Sequence, residues 1–464
     1  MTDSTCNRTP TAAPGIVIAA TASGTGKTTI TTGLIAALAR RMSVAPFKVG
    51  PDYIDPGYHG LAAGRTGRNL DAVMCGERLI GPLYAHGTCG CDIGIVEGVM
   101  GLFDGRIPDG NGSTADIAQI LGLPVLLVVD VRGMSQSAGP LVRGFATARP
   151  GVRIAGVILN KIGTKRHAAV CREAIEAEGI PVVGVIPRQD NVAVPSRHLG
   201  LVTAKEHGGA ASRAIEQMAA LIETHCDLDH IISLARTTYT GPTWQPEDYV
   251  TPTHHPTIAI AGGKAFTFAY AEHHELLNAA GATVVHFDPL TDPFPNCDGL
   301  IIPGGFPEEH VEALVSRTDL RHAIQQHVAE AKPIHAECAG LLWLLDSLDA
   351  HPMLGIIPTH AAMGRRLTLG YREAVALSDS LLYAAGQRIT GHEFHHTALT
   401  SADAEGFLPA WGWRTWDGTT TTEGFVSGTI HASYLHTHPA AYPEGIQRFV
   451  AACATSTQVP QYVT

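Results

Sequence analysis

The sequence predicts an α/β fold in which a doubly wound parallel sheet is followed by a second α/β domain. Two observations carry this prediction. Short runs of Val, Ile and Leu alternate with helical segments, as in parallel sheets that are covered on both faces. A glycine-rich loop joins the first of these runs to the first helix. The chain has 464 residues, too many for a single hydrophobic core, so two or three domains are expected.

The first element is the stretch GIVIAATASGTGKTTI, residues 15–30. Ile16–Ile18 predict a buried strand, and a helix is predicted to open at Lys27. The loop between them predicts a nucleoside triphosphate site, with Lys27 neutralising phosphate charge and the Thr28 hydroxyl reaching Mg²⁺. The usual pattern has glycine where Thr21 stands. A surface turn with a chance Gly-Lys-Thr is therefore the alternative, although the flanking strand and helix favour the phosphate site.

Composition narrows the classes of function. The chain is 45% hydrophobic and 16% charged, and 32 basic against 43 acidic residues give a formal net charge of −11. This charge argues against a general nucleic-acid binder. We find no membrane segment and expect a cytoplasmic protein whose first 14 residues are a disordered tail. The nine cysteines are scattered and do not indicate a zinc site.

Acidic residues follow the predicted strands of the first half. These strands are Val44–Val49, Ile93–Val96, Val125–Val129, Ile154–Leu159 and Val182–Ile186. Ligands bind beyond the carboxyl ends of parallel strands. Asp52 and Asp55 follow the first of them, and Glu97 and Asp104 follow the next. Glu97 stands where nucleoside triphosphatases keep a metal-binding carboxylate, while solvated turn residues are the alternative for all four. Asn160 at another strand end either contacts a purine edge or initiates a helix.

The first domain is predicted over residues 15–226 and a linker over 227–256, because the latter segment is rich in Pro and polar residues and has no sustained period. The second domain is predicted over residues 257–454, with a tail at 455–464.

The second domain contains a predicted nucleophile elbow. Ile334–Glu337 forms a short strand, Cys338 lies at the turn, and a helix is expected over Ala339–Leu345. The helix N-terminus is expected to lower the thiol pKa, whereas a small buried residue is the alternative for Cys338. Gly304 and Gly305 follow another strand and leave their N–H groups open for an oxyanion. A cysteine nucleophile needs a histidine, and His431, His436 and His438 are the candidates.

Several longer motifs carry a resemblance to a known family. The motifs KVGPDYIDPGYH, NLDAVM, VEGVMGLFDG, PGGFPEEH, ECAG, GYRE and GHEFHHT resemble the cobyrinic acid a,c-diamide synthase family, whose aerobic-pathway branch acts on hydrogenobyrinic acid. The resemblance covers about 440 residues in one collinear order. It implies a P-loop NTPase-like domain similar to dethiobiotin synthetase, followed by a flavodoxin-like class I glutamine amidotransferase domain.

The resemblance also implies the reaction. A protein of this family is a carbon–nitrogen ligase that amidates the a and c carboxylates of a corrinoid acid in cobalamin biosynthesis, with ATP and glutamine as further substrates. A carboxylate is a poor electrophile, so an acyl phosphate must form first. The expected partners are therefore small molecules, with neither nucleic acid nor membrane. The oligomeric state is open, a homodimer being one alternative.

The family pattern assigns roles to individual residues. The residues implied to bind ATP are Ser23, Gly24, Thr25, Gly26, Lys27, Thr28 and Asn160. Those implied to hold Mg²⁺ are Thr28, Asp52 and Glu97, and those implied to face the acceptor are Asp52, Tyr53, Asp55 and Asp104. In the second domain Cys338 is the nucleophile, Gly304 and Gly305 form the oxyanion site, and the YLH pattern selects His436 as base.

The sequence departs from the wider class at one informative position. Many class I glutaminases place Glu two residues after the catalytic histidine, where this chain has His438. The group that orients His436 is therefore unknown from the sequence.

Three other interpretations stay open at this point. One is a different tetrapyrrole or cobyric-type amidoligase on the same scaffold. Another is a partition-type ATPase switch with a decayed glutaminase domain, which retention of Cys338, His436 and the glycine pair disfavours. The third concerns only GHEFHHT, residues 391–397, whose histidines and Glu393 form an alternative metal site, although the family likeness favours a loop near the active sites.

Overall fold

The structure is a computed structural model that describes residues 12–188, 196–197, 200–201, 203, 206 and 208–456. The chain separates into two compact units, and the division falls between Trp244 and Gln245. Each unit has its own sheet.

A seven-stranded sheet forms the centre of the first unit. Its strands are β1 Gly15–Ala20, β2 Val44–Val49, β3 Arg68–Leu70, β4 Ile93–Glu97, β5 Val125–Asp130, β6 Ile154–Ile162 and β7 Val182–Pro187. The spatial order is β3-β2-β4-β1-β5-β6-β7, and neighbouring strands pair in parallel. Because helices cover both faces, β1, β2 and β4 are buried along their whole length. The predicted doubly wound parallel sheet is confirmed.

The helices of this unit alternate with its strands. They are α1 Lys27–Ala39, α2 Asp55–Ala63, α3 Glu77–Gly87, α4 Thr114–Leu121, α5 Ala138–Thr147, α6 Lys165–Glu176, α7 Gly209–His225 and α8 Leu228–Leu234. A two-residue strand pair, β8 Ser196–Arg197 and β9 Gly200–Leu201, is antiparallel. The order strand, loop, helix brings the carboxyl ends of β1, β2 and β4 to the same edge of the sheet.

Two segments differ from the sequence prediction. The predicted disordered tail ends earlier than residue 14, because Ala13 is buried and its carbonyl accepts a hydrogen bond from Tyr84 Oη at 3.0 Å. Residues 1–11 lie outside the described residues. The predicted linker begins with structure: α8 lies within it, and Arg236 pairs with Gly15 as an antiparallel bridge. Hydrogen bonds to distant strands therefore hold a segment that lacks any clear periodicity.

The second unit contains a larger, mixed sheet. Its strands are β10 Thr257–Ala261, β11 Thr283–Phe287, β12 Gly299–Ile302, β13 Ile334–Glu337, β14 Leu345–Leu348, β15 His351–Pro352, β16 Ile357–Ala376, β17 Arg388–Leu399, β18 Leu408–Arg414, β19 Thr420–Val426, β20 Ile430–Ser433 and β21 His436–Thr437. The order is β11-β10-β12-β13-β20-β19-β18-β16-β14-β15, with β17 paired to β16 and β21. The first five strands are mutually parallel, whereas β16 to β19 form antiparallel pairs.

Among the described residues, the second unit has fewer α-helices than the first. They are α9 Ala271–Ala279, α10 Val311–Ser316, α11 Thr318–Ala329, α12 Ala339–Leu344 and α13 Pro443–Ser456. The helix predicted after Cys338 is present but ends one residue early, at Leu344. Residues 457–464, most of the predicted C-terminal tail, lie outside the described residues. Over the described ranges, the structure has no helix with the length and apolar character that crossing a membrane requires.

Candidate active sites

The loop between β1 and α1 is built to surround an anion. Gly24 and Gly26 have φ angles of +75° and +93°, a backbone conformation that side chains disfavour. Lys27 begins α1 directly after this loop. The N–H groups at a helix N-terminus favour phosphate, so the loop that includes Ser23 and Thr25 has the geometry the sequence predicts.

Asn160 lies against this loop. Its Nδ2 donates to the carbonyl of Thr25 at 2.7 Å, and its Oδ1 accepts from the N–H of Lys161 at 2.9 Å. A side chain at Gly26 would place its Cβ 2.5 Å from the same Nδ2. Asn160 therefore braces the loop, and its contact with a purine stays a prediction.

A buried cluster of opposite charges lies next to Lys27. Thr28 Oγ1 donates to Glu97 Oε1 at 2.7 Å and lies 3.2 Å from Asp55 Oδ2. Lys48 Nζ donates to Asp55 Oδ2 at 2.5 Å and to Glu97 Oε1 at 2.9 Å. Two carboxylates from different segments thus share one ammonium group, and the Thr28 hydroxyl contacts both of them.

Lys48 was not singled out from the sequence as a site residue, although a signal was present. It is the one charged residue in the strand VAPFKV, and its side chain is 4% exposed. A lysine is almost never buried unless it is paired. His59 was missed as well: it is buried on α2, and its Nε2 lies 2.7 Å from Glu97 Oε2.

The cluster determines the charge of its members. Burial opposes the charged form of Lys48, but Asp55 and Glu97 outweigh it and raise the pKa of Lys48. Burial would likewise raise the pKa of Glu97, yet Lys48 and His59 hold that pKa below its usual range. Burial and the neighbouring Asp52 raise the pKa of Asp55 to about 6. At neutral pH the centre of the cluster is an ammonium between carboxylates.

The other acidic residues predicted for this site stabilise turns. Asp52 Oδ1 accepts from the N–H groups of Ile54 and Asp55 at 2.8 and 3.0 Å, and its Oδ2 lies 3.8 Å from Lys48 Nζ. Asp104 Oδ2 accepts from the N–H of Gly101 at 2.9 Å. Asp52 and Asp104 thus stabilise turns, as the alternative interpretation from the sequence expected for part of their role. Tyr53 is half-buried in the same loop as Asp52.

The second unit holds the predicted elbow. Cys338 has φ +50° and connects β13 to α12. Its N–H donates to the carbonyl of Ser433 at 2.7 Å, which fixes the turn to the neighbouring strand β20. A non-glycine residue in this backbone conformation is uncommon and is typical of functional turns.

Gly304 lies between the two predicted catalytic side chains. A Cβ at Gly304 would lie 2.7 Å from Cε1 of His436 and 3.1 Å from Cβ of Cys338. At Gly305 a Cβ would lie 2.1 Å from the carbonyl oxygen of Ala265. The fold thus brings His436, Cys338 and the glycine pair together. Neighbouring atoms approach both glycines so closely that a Cβ at either position would clash.

The sequence predicts a lowered pKa for the Cys338 thiol, and this prediction is wrong in direction. Burial, with a smaller contribution from Glu308, raises the pKa of Cys338 well above its usual range and outweighs the hydrogen bond to Ala339 N–H. The helix that follows has only six residues and does not offset this desolvation. Desolvation therefore favours the protonated thiol over the thiolate.

The GHEFHHT segment forms part of β17 and lies next to Cys338. The carbonyl of Phe394 lies 4.0 Å from Cys338 Sγ, and Glu393 Oε2 accepts from Arg372 Nε at 2.5 Å. Within the described part of the chain, no three His, Cys, Asp or Glu side chains are grouped so as to hold a metal ion by themselves. The metal interpretation of this segment therefore has no support.

Comparisons with known proteins match both halves of the chain to known domain families. Residues 16–202 match the CobQ/CobB/MinD/ParA nucleotide binding domain, and residues 257–443 match the CobB/CobQ-like glutamine amidotransferase domain. These two matches correspond to the two predicted domains in type and in order.

Full-length relatives extend the comparison. A protein of Mycobacterium tuberculosis named hydrogenobyrinate a,c-diamide synthase is 52% identical, over 95% of this chain and 98% of the relative. A protein of the same name from Streptomyces coelicolor is 48% identical, over 96% and 98%. A cobyrinate a,c-diamide synthase of Gloeobacter violaceus is 40% identical, over 94% and 96%.

Proposed function

The chain belongs to the family of hydrogenobyrinate and cobyrinate a,c-diamide synthases, and we propose that it uses ATP and glutamine to amidate the a and c carboxylates of hydrogenobyrinic acid. The metal-free acceptor is favoured because the relatives with 44–52% identity carry that name, whereas those with 38–40% identity are named for cobyrinate. The single observation that carries the proposal is the presence, in one chain, of a phosphate loop and a cysteine–histidine elbow.

In the first unit, ATP phosphorylates an acceptor carboxylate. The loop from Ser23 to Thr28 holds the phosphates, and Lys27, whose pKa is lowered by burial, neutralises their charge. Phosphoryl transfer needs positioning and charge neutralisation rather than a protein nucleophile. Tyr53, Asp52 and Asp104 are assigned to the acceptor side of the site.

Mg²⁺ fits the oxygen donors of Thr28, Glu97 and Asp55. The fit rests on the donor set, because the Thr28 hydroxyl lies 2.7 Å from Glu97 Oε1 and 3.2 Å from Asp55 Oδ2 and all three are hard oxygen ligands. Asp55 lies nearer to Thr28 and Lys48 than does Asp52, whose Oδ1 accepts from two backbone N–H groups. We therefore prefer Asp55 to Asp52 as the second carboxylate. Thr28, Glu97 and Asp55 would hold the ion, and when bound it would supply charge neutralisation at the phosphates.

The second unit releases ammonia from glutamine. Cys338 Sγ attacks the side-chain amide carbon while His436 takes the thiol proton. The N–H groups of Gly304 and Gly305 stabilise the oxyanion. The C–N bond then breaks, the proton passes to the leaving ammonia, and water hydrolyses the thioester to glutamate. Ammonia is the nucleophile that displaces phosphate from the acyl phosphate.

A cytoplasmic location accompanies the proposal, because ATP and glutamine are the substrates. A homodimer is the assembly we would test first, by light scattering.

The experiment incubates the protein with ATP, Mg²⁺, glutamine and either hydrogenobyrinic or cobyrinic acid, and measures ADP and product mass. Two amidations on one ring are expected, with the metal-free ring the better acceptor. ATP turnover that is indifferent to both rings would overturn the proposal and favour the switch alternative. Cys338→Ala should abolish synthesis with glutamine and retain synthesis with ammonium chloride. Loss of both would contradict the division of labour between the units.

A further inference from the structure

A buried carboxylate lies beside His436 and has no part in the mechanism above. Glu337 ends strand β13 and directly precedes Cys338. It is 8% exposed, and its Oε2 lies 3.9 Å from Nδ1 of His436. Catalytic hydrogen bonds are often long before substrate binds, so this distance is compatible with a working contact.

The opposite oxygen of this carboxylate is held in place. Oε1 of Glu337 accepts from the N–H of Thr437 at 2.9 Å and lies 3.1 Å from its hydroxyl. The hydroxyl of Thr437 in turn lies 3.0 Å from that of Tyr383. Because Thr437 follows His436 in the chain, the same backbone that carries the base also anchors Oε1 and leaves Oε2 on the His436 side.

We propose that Glu337 is the positioning residue of the glutaminase, accepting a hydrogen bond from Nδ1–H of His436 and thereby presenting Nε2 to the thiol of Cys338. This inference rests on the proposed function. The proton moves from Sγ to Nε2 as sulfur attacks the amide carbon, and it leaves with ammonia as the C–N bond breaks. In the active form Glu337 is ionised and stabilises the imidazolium.

Among the residues that the structure describes, Glu337 forms an ion-pair contact with no basic side chain other than His436. A cavity of about 20 Å³, room for about one water molecule, is lined by Glu337 together with His273, His335, Tyr383 and Tyr442. Burial lowers the pKa of His273 to about 4 and that of His335 well below its usual range. Both rings are neutral near pH 7. The imidazolium formed on His436 is thus the cation that an ionised Glu337 can pair with.

Many class I glutaminases have an acidic residue two positions after the catalytic histidine, and this chain has a histidine at that position. His438 stands there, and its Nε2 lies 4.0 Å from Oε2 of a second buried carboxylate, Glu272. His438 Nδ1 accepts from the N–H of Ala440 at 3.3 Å. Glu272 therefore contacts a different histidine, and it supplies a matched control: a buried glutamate beside a buried histidine in the same unit.

The test compares Glu337→Gln with Glu272→Gln in the full-length protein, with ATP and acceptor present. Gln keeps the bonds to Thr437 but offers an N–H to Nδ1 of His436. This favours the tautomer that carries its proton on Nε2, which cannot accept the thiol proton. In Glu337→Gln, kcat for glutamate release should fall about 10²- to 10⁴-fold with KM nearly unchanged. Alkylation of Cys338 by iodoacetamide should slow in parallel, and synthesis with ammonium chloride should be retained. Glu272→Gln should stay within about threefold of the parent on these measures.

Retention of kcat in Glu337→Gln, or an equal loss in Glu272→Gln, would overturn the inference. If Glu337→Gln does not fold, Glu337→Asp carries the test: an intermediate loss of kcat supports a positioning role, and parental kcat refutes it. Failure of the proposed function is a separate outcome, because the parent protein would then amidate neither ring and its ATP turnover would be indifferent to both.

Discussion

Replacing Gly304 by alanine is expected to disable the glutaminase without harming the ligase. The new Cβ would lie 2.7 Å from Cε1 of His436 and 3.1 Å from Cβ of Cys338. Since carbon atoms pack at about 3.5 to 4.0 Å, the ring or the loop must retreat by about 1 Å. A misplacement of this size costs on the order of 10²-fold in rate, and a displaced oxyanion donor costs about 10²- to 10³-fold. We therefore expect kcat for glutamate release to fall at least about 10²-fold.

A control for this substitution is present in the same unit. A Cβ at Gly428 would meet no atom within 4 Å, so Gly428→Ala should behave as the parent. Glutamate release is measured with glutamine, ATP and acceptor, and product formation with ammonium chloride is measured in parallel. Parental glutamate release by Gly304→Ala would refute the placement of this glycine between His436 and Cys338. Equal loss of the ammonium-dependent reaction would indicate general damage to the fold.

Three further predictions concern charge. Lys27→Ala should eliminate ligation and leave some glutaminase, so full ligase activity would refute the phosphate-loop assignment. Lys48→Met leaves two buried carboxylates without their cation. It should abolish ligation and lower the free energy of unfolding by about 3–5 kcal/mol. Chemical denaturation measures this loss of stability against the control Lys332→Met, which removes a lysine from a less buried ion pair. Burial raises the pKa of Glu337 to about 7 and lowers that of His436 to about 3. Since Glu337 acts as the anion, kcat for glutamate release should fall as pH drops below about 7, and that limb should be absent in Glu337→Gln. A limb that survives this substitution would assign the titration to another group.

The sequence was sufficient for the framework of both units because the signals there are local. A buried parallel strand is mostly apolar, so a continuous apolar run such as Val125–Val129 predicts one directly. The phosphate loop and the elbow are equally local, since each is a strand, a turn and a helix start within about 15 residues. The confirmed fold class rests on these segments.

Longer-range features were not visible in the same way. No strand was predicted over Ile357–Ala376 or Arg388–Leu399, which pair with each other as a long antiparallel ladder. Much of the first of these strands is exposed or half-buried, so it lacks the continuous apolar run by which the buried strands were recognised. The helix Leu228–Leu234 was read as linker for a related reason, being short and dependent on contacts with distant strands.

By itself, the sequence determined the order of the domains, the phosphate loop, the strand–turn–helix elbow at Cys338 and the choice of family, because each depends on residues that are neighbours in the chain. Only the tertiary structure decided which charges meet. It placed Lys48 between Asp55 and Glu97, and it raised the pKa of the thiol that a local argument expected to be lowered. It also set Glu337 beside His436, about 100 residues away. Desolvation and ion pairing depend on what the fold brings together, and distance along the chain carries no measure of either.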